Sequence, residues 1–75
     1  MTALTLAEAP LATTLTLSVV PQGQARHLSR LGLRPGAALQ VIRRSTGGGR
    51  IVSVAGARVA LGRGLLAGMQ VEVGR

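Results

Sequence analysis

Leu28-Ser29-Arg30-Leu31-Gly32-Leu33-Arg34-Pro35-Gly36-Ala37, running on into Leu39-Gln40-Val41, stops a helix, reverses the chain and starts a strand. Upstream, Gln24 to Leu31 has helical spacing, with Ala25, Leu28 and Leu31 on one face and Arg26, His27, Ser29 and Arg30 elsewhere. Gly32 falls where a left-handed C′ residue belongs. Leu33 then sits at C″, in reach of Leu28 at C3, which is the Schellman arrangement. Arg34-Pro35-Gly36-Ala37 has Pro and Gly at the central positions of a type II turn. Leu31, Gly32, Leu33, Pro35 and Gly36 are therefore structural residues of one turn.

On either side of this device the chain reads as short alternating runs punctuated by Gly and Pro, an all-β pattern. Leu15, Leu17 and Val19 alternate with Thr14, Thr16 and Ser18. Leu39, Val41 and Arg43 alternate with Gln40, Ile42 and Arg44. Ile51 to Val54 is a β-branched run, Ala57, Val59 and Leu61 alternate with Arg58 and Ala60, and Met69, Val71 and Val73 alternate with Gln70 and Glu72. Ala55-Gly56 fits a tight hairpin, with Gly supplying positive φ. Ser45-Thr46-Gly47-Gly48-Gly49 reads as a plain, mobile hairpin tip: no Lys follows and no helix begins there, so it lacks the context of a phosphate loop. Gly64 to Gly68 allows a single helical turn. The expectation is a small, strongly bent barrel of five strands, with a short helix between strands 1 and 2 and a helical turn before strand 5. Residues 1–75 make one domain, without internal repeats.

Composition narrows the function. A chain of 75 residues leaves roughly 40% of its unfolded surface exposed after folding. Little remains from which to build a deep, water-excluded pocket. There is no Cys, so disulfides and thiolate metal sites are ruled out. The N-terminus lacks a cationic start and an apolar core of signal-peptide type, and no stretch is apolar enough to span a bilayer. These features lead to the expectation of a soluble, cytoplasmic protein. Nine basic residues, all Arg, face only Glu8 and Glu72, for a formal charge of +7. Such an excess suits an acidic partner, a membrane face or nucleic acid. GC-rich codon usage also accounts for an Arg-rich, Lys-free and aromatic-free chain.

Enzymatic chemistry finds no equipment. Glu8 and Glu72 lie at opposite ends of the chain, and Ser18, Ser29, Ser45 and Ser53 have no base and orienting acid beside them. No catalytic residue and no cofactor is expected. Ferrous iron favours imidazole and carboxylate, and the chain offers only His27, Glu8, Glu72 and the thioethers of Met1 and Met69. His27 on a polar helix face is most simply solvated, and Met69 at an inward strand position is most simply core. No metal site is assigned. A small basic nucleic-acid-binding barrel is the alternative reading, motivated by charge. Against it, there are no aromatics for base stacking, and the arginines are spread over several elements.

The segment Leu31-Gly32-Leu33-Arg34-Pro35-Gly36 followed by Leu39-x-Val41-x-Arg43-Arg44 resembles the FeoA family, whose short helix ends in an L-G-L-x-P-G-type turn. The resemblance continues through Arg58-Val59-Ala60-Leu61-Gly62-Arg63 and closes on Val71-Glu72-Val73. Thr5-Leu6-Ala7-Glu8-Ala9-Pro10 is similar to the family's opening. Two places depart from the pattern: Leu11-Ala12 follows Pro10 where a Pro-Gly turn is common, and Gly64-Leu65-Leu66-Ala67-Gly68 replaces a usually charged turn. The resemblance implies an SH3-like barrel and a cytoplasmic accessory or regulatory protein of ferrous-iron transport. It also implies a partner, the cytosolic, GTP-binding region of the FeoB transporter, and a family-level association with metal ions.

Binding would then rest on aliphatic contacts and on Arg, whose planar fork suits carboxylates. Arg26, His27, Arg30 and Arg34 on and just after the helix form the candidate partner-binding patch; the plain alternative is a solvated face. Self-association is a further expectation, with Leu65-Leu66 as the exposed apolar patch.

Overall fold

The computed structural model describes residues 3–73. Among these residues six strands are formed: β1 (Ala3–Thr5), β2 (Thr14–Val19), β3 (Ala38–Arg44), β4 (Arg50–Val54), β5 (Ala57–Leu61) and β6 (Gln70–Val73). Helix α1 (Ala25–Arg30) follows a 3-10 turn at Gln22–Gln24, and α2 (Arg63–Ala67) precedes β6. All strand pairings are antiparallel, in the order β1-β6-β2-β3-β4-β5. The sheet bends around one core, and the molecule measures 28 × 26 × 23 Å. Its inner face contributes Leu15, Leu17, Leu39, Val41, Val52, Val54, Leu61 and Val71 to that core; Leu28, Leu33, Leu66 and Met69 complete it from the helices and turns.

The helix-stop device forms as the residues require. The amide of Leu33 donates to the Leu28 carbonyl at 2.9 Å and that of Gly32 to Ser29 at 3.0 Å, with Gly32 at φ +90°. These are the two hydrogen bonds of the Schellman motif, and Leu28 and Leu33 are both fully buried. The Ala37 amide then donates to the Arg34 carbonyl at 3.0 Å across Gly36, at φ +94°. Two further bonds stitch this turn to β2: Gly36 donates to the Leu17 carbonyl at 2.7 Å and Leu17 to Ala37 at 2.9 Å.

Four expectations need correction. A sixth strand, β1, pairs with β6; three residues long and without alternation, it leaves no sequence signal. Val19 does not share the core with Leu15 and Leu17. A register shift between Leu17 and Val19 turns it outward, 45% exposed. Likewise, Arg43 does not continue the inner face of Leu39 and Val41. Ile42 is extra to the β3–β4 register, so Arg43 pairs with Ile51 and Arg44 with Arg50. Finally, Leu65-Leu66 is not an exposed patch: Leu66 is fully buried and Leu65 half-buried, because α2 lays that face over the core.

The Ser45–Gly49 connection is a compact 3-10 turn closed by the Ser45 amide on the Gly49 carbonyl at 2.9 Å, with Gly49 buried. In the Ala55-Gly56 hairpin both residues have positive φ, 52° and 80°. Left-handed backbone costs a residue with a Cβ about 1–2 kcal/mol. Ala55→Gly is therefore expected to stabilise the protein by about 1 kcal/mol, measured by urea unfolding. A loss of stability instead would show that the Ala55 methyl packs usefully against Gly32.

Candidate partner interface

Helix α1 has one anchor. Leu28 is its only buried residue, and that inward side chain leaves Arg26, His27 and Arg30 exposed on the rest of the cylinder. Arg34 follows the Schellman turn and is exposed as well. Three of the four patch residues therefore lie on a single helix face exposed by its shortness, and the fourth lies on the turn that the helix feeds. His27 and Arg30 fall in the last helical turn, where cations face the negative end of the peptide dipoles.

Arg34 also lines a shallow depression of about 460 Å³ together with Gly32, Pro35, Gly36, Val54 and Ala55. Its second wall comes from the β4–β5 hairpin, which is distant in sequence. The hairpin lies against Gly32: a Cβ there would stand in ordinary contact, 3.5 Å from the Ala55 Cβ, so glycine is needed for its φ of +90° and not for space. The hairpin's contribution could not be read from the sequence, because nothing in Val54-Ala55 marks it as a neighbour of the helix stop. The arrangement offers one guanidinium, that of Arg34, beside an aliphatic surface, suited to a carboxylate flanked by apolar side chains.

Among the described residues no three of His, Cys, Asp and Glu lie together. Met69 is fully buried in the core, and Met1 lies outside the described residues. Glu8 accepts a hydrogen bond from the Thr5 hydroxyl at 3.2 Å, while Glu72 sits on β6 opposite Thr16. Among the described residues His27 belongs to no such group of three, the number of ligands that iron or zinc sites commonly draw from the protein. No helix among the described residues is long and apolar enough to cross a membrane.

The sequence model of the FeoA domain matches residues 4–73. No curated protein sequence matches the chain significantly. Among solved structures, an iron uptake regulatory protein, FeoA, is similar with a TM-score of 0.84 and 29% identity, covering 96% of this chain and 97% of its own. FeoA of Stenotrophomonas maltophilia in complex with zinc is similar with a TM-score of 0.74 and 28% identity, covering 92% of this chain and 89% of its own. That protein is described as a procaryotic SH3 domain protein and a candidate activating factor of ferrous-iron transport. A manganese-dependent transcriptional repressor shares the fold, with a TM-score of 0.83 and 21% identity, over 95% of this chain but 41% of the repressor.

Proposed function

The chain belongs to the FeoA domain family, and from that membership we propose that it is a cytoplasmic accessory protein of ferrous-iron uptake, docking on the cytosolic region of the FeoB transporter. The observation that supports this reading best is the agreement of sequence and fold with FeoA proteins over nearly the whole chain, with an SH3-like barrel in common. The protein acts by binding, not by catalysis. Iron is the transporter's cargo, and this chain acts on the transporter and not on the ion.

Arg26, His27, Arg30 and Arg34 are the docking residues, with carboxylates of the partner as their counterparts. Exposed charges of this kind govern association rate and salt dependence more than final affinity. Titrating isotope-labelled protein with the isolated cytosolic region of FeoB, in each nucleotide state, tests the reading. Amide shifts are expected on α1 and on the turn through Gly36, weakening as salt rises. Arg26→Glu combined with Arg30→Glu is expected to lower affinity at least about tenfold, since like charges brought face to face cost several kcal/mol. No shift on α1 or its turn in any nucleotide state would remove this patch from consideration.

A further inference from the structure

At the opposite end of β4 from the Ala55 hairpin, roughly 13 Å away at the rise of a strand, a second set of arginines lies on adjoining elements. We propose that Arg44, Arg50 and Arg63, with the backbone of the Thr46–Gly48 turn, form a binding site for a phosphate-type oxyanion. This site is separate from the docking patch on α1 and does not depend on it.

The first observation is a like-charge pair. Because of the extra residue Ile42, Arg44 stands directly opposite Arg50 in the β3–β4 ladder. Directly opposed residues project from the same face only about 5 Å apart, and like charges so placed are destabilising. Regular pairing would have set Arg43 against Arg50 and Arg44 against Gly49; the register shift puts Arg44 opposite Arg50 instead.

The second observation concerns Arg50 itself. Among the described residues it is the one buried charged side chain, only 9% exposed. Its side-chain hydrogen bond runs from Nη1 to the Ala9 carbonyl at 2.5 Å, an uncharged acceptor. Burying a cation without a counter-charge is costly. Among the described residues no fully buried side-chain nitrogen lacks a partner. The guanidinium nitrogens not used by Ala9 are therefore not fully enclosed. The two acids do not serve: Glu8 accepts from Thr5, and Glu72 lies on β6, two strands from β3 and three from β4 in the sheet order.

Arg63 completes the cluster from the start of α2. Its Cδ lies where a Cβ on Gly48 would be 3.0 Å away, so its stem is laid along the turn that joins β3 to β4. In that turn Gly47 adopts φ 78°, ψ 15° directly after Thr46. Such a sequence of conformations aims successive amide N–H groups to one side, the concavity that accepts anions. Three guanidinium groups and a set of amides call for a ligand with more than one negative charge and several acceptor oxygens. Phosphate fits this better than a single carboxylate.

The source of the phosphate is either a free or nucleotide phosphate or the headgroup of an anionic lipid. Two arms separate them: titration of the labelled full chain with inorganic phosphate, and with vesicles of phosphatidylcholine containing phosphatidic acid, both at constant ionic strength. In either arm, saturable shifts at the amides of Arg44, Thr46 to Arg50 and Arg63 are expected. Saturation with vesicles alone would assign the site to a lipid headgroup. Arg44→Gln is expected to weaken the binding at least about tenfold, as for the loss of one charge-assisted hydrogen bond. The same variant should raise the Tm of the free protein by relieving repulsion with Arg50. Arg58→Gln, which removes an equal charge on the outer face of β5, should leave binding unchanged. The proposal is overturned if neither probe gives saturable shifts at these amides, or if Arg44→Gln and Arg58→Gln behave alike.

Discussion

Leu28→Ala is expected to destabilise the protein by about 2–5 kcal/mol, the range for emptying a fully buried leucine site. A domain of this length has a total stability of only about 4–11 kcal/mol at the usual value per residue, so much of it would be lost. Two features put Leu28 at the upper part of the range. It is the only buried side chain of α1, so no neighbour on the helix can collapse into the space. Its carbonyl also accepts the amides of Leu31 at 3.0 Å and Leu33 at 2.9 Å, so a shifted helix would weaken the stop that aims the chain into β3. Urea unfolding followed by circular dichroism measures the effect, with Leu28→Met as a volume-conserving control expected to cost less than about 1.5 kcal/mol. A loss below 1 kcal/mol for the alanine variant (the control being near neutral) would mean that α1 is held by something other than this side chain.

Gly49→Ala should cost about 1–3 kcal/mol, the usual penalty for forcing atoms into a packed site. Its backbone gives no warning: φ −78° and ψ 179° are open to any residue. The obstacle is steric, because a Cβ at position 49 would lie 2.7 Å from the Leu61 carbonyl oxygen and 2.7 Å from the Ser45 Oγ. Ser45 can rotate away, but Leu61 belongs to β5 and its carbonyl is backbone. The contrast is Gly47, two residues earlier, at φ +78° with nothing within 4 Å of its added Cβ. Gly47→Ala meets only the left-handed penalty of about 1–2 kcal/mol. Thermal unfolding of both variants should rank Gly49→Ala as the more damaging. The reverse order would show that the turn can back away from β5.

The amino-acid sequence by itself determined the helix stop, the type II turn and most of the strands, because each rests on local chemistry. Gly32 and Gly36 must take positive φ, Pro35 presets a turn, and two-residue alternation selects the inward side of a strand. It also carried the family resemblance, since the ordered phrases from Leu31 to Arg63 survive without reference to three-dimensional contacts. Of the candidate interface, the exposure of Arg26, His27 and Arg30 was legible from the 3.6-residue spacing around Leu28. Only the tertiary structure decided the rest. Val54 and Ala55 became a wall of the depression beside Arg34 because a hairpin packs on Gly32. Leu66 left the surface because α2 covers the core. Arg44 came to face Arg50 because one extra residue, Ile42, shifts the pairing of β3 with β4. Register and packing depend on the partner strand as much as on the strand itself, so a pattern read along one segment cannot contain them.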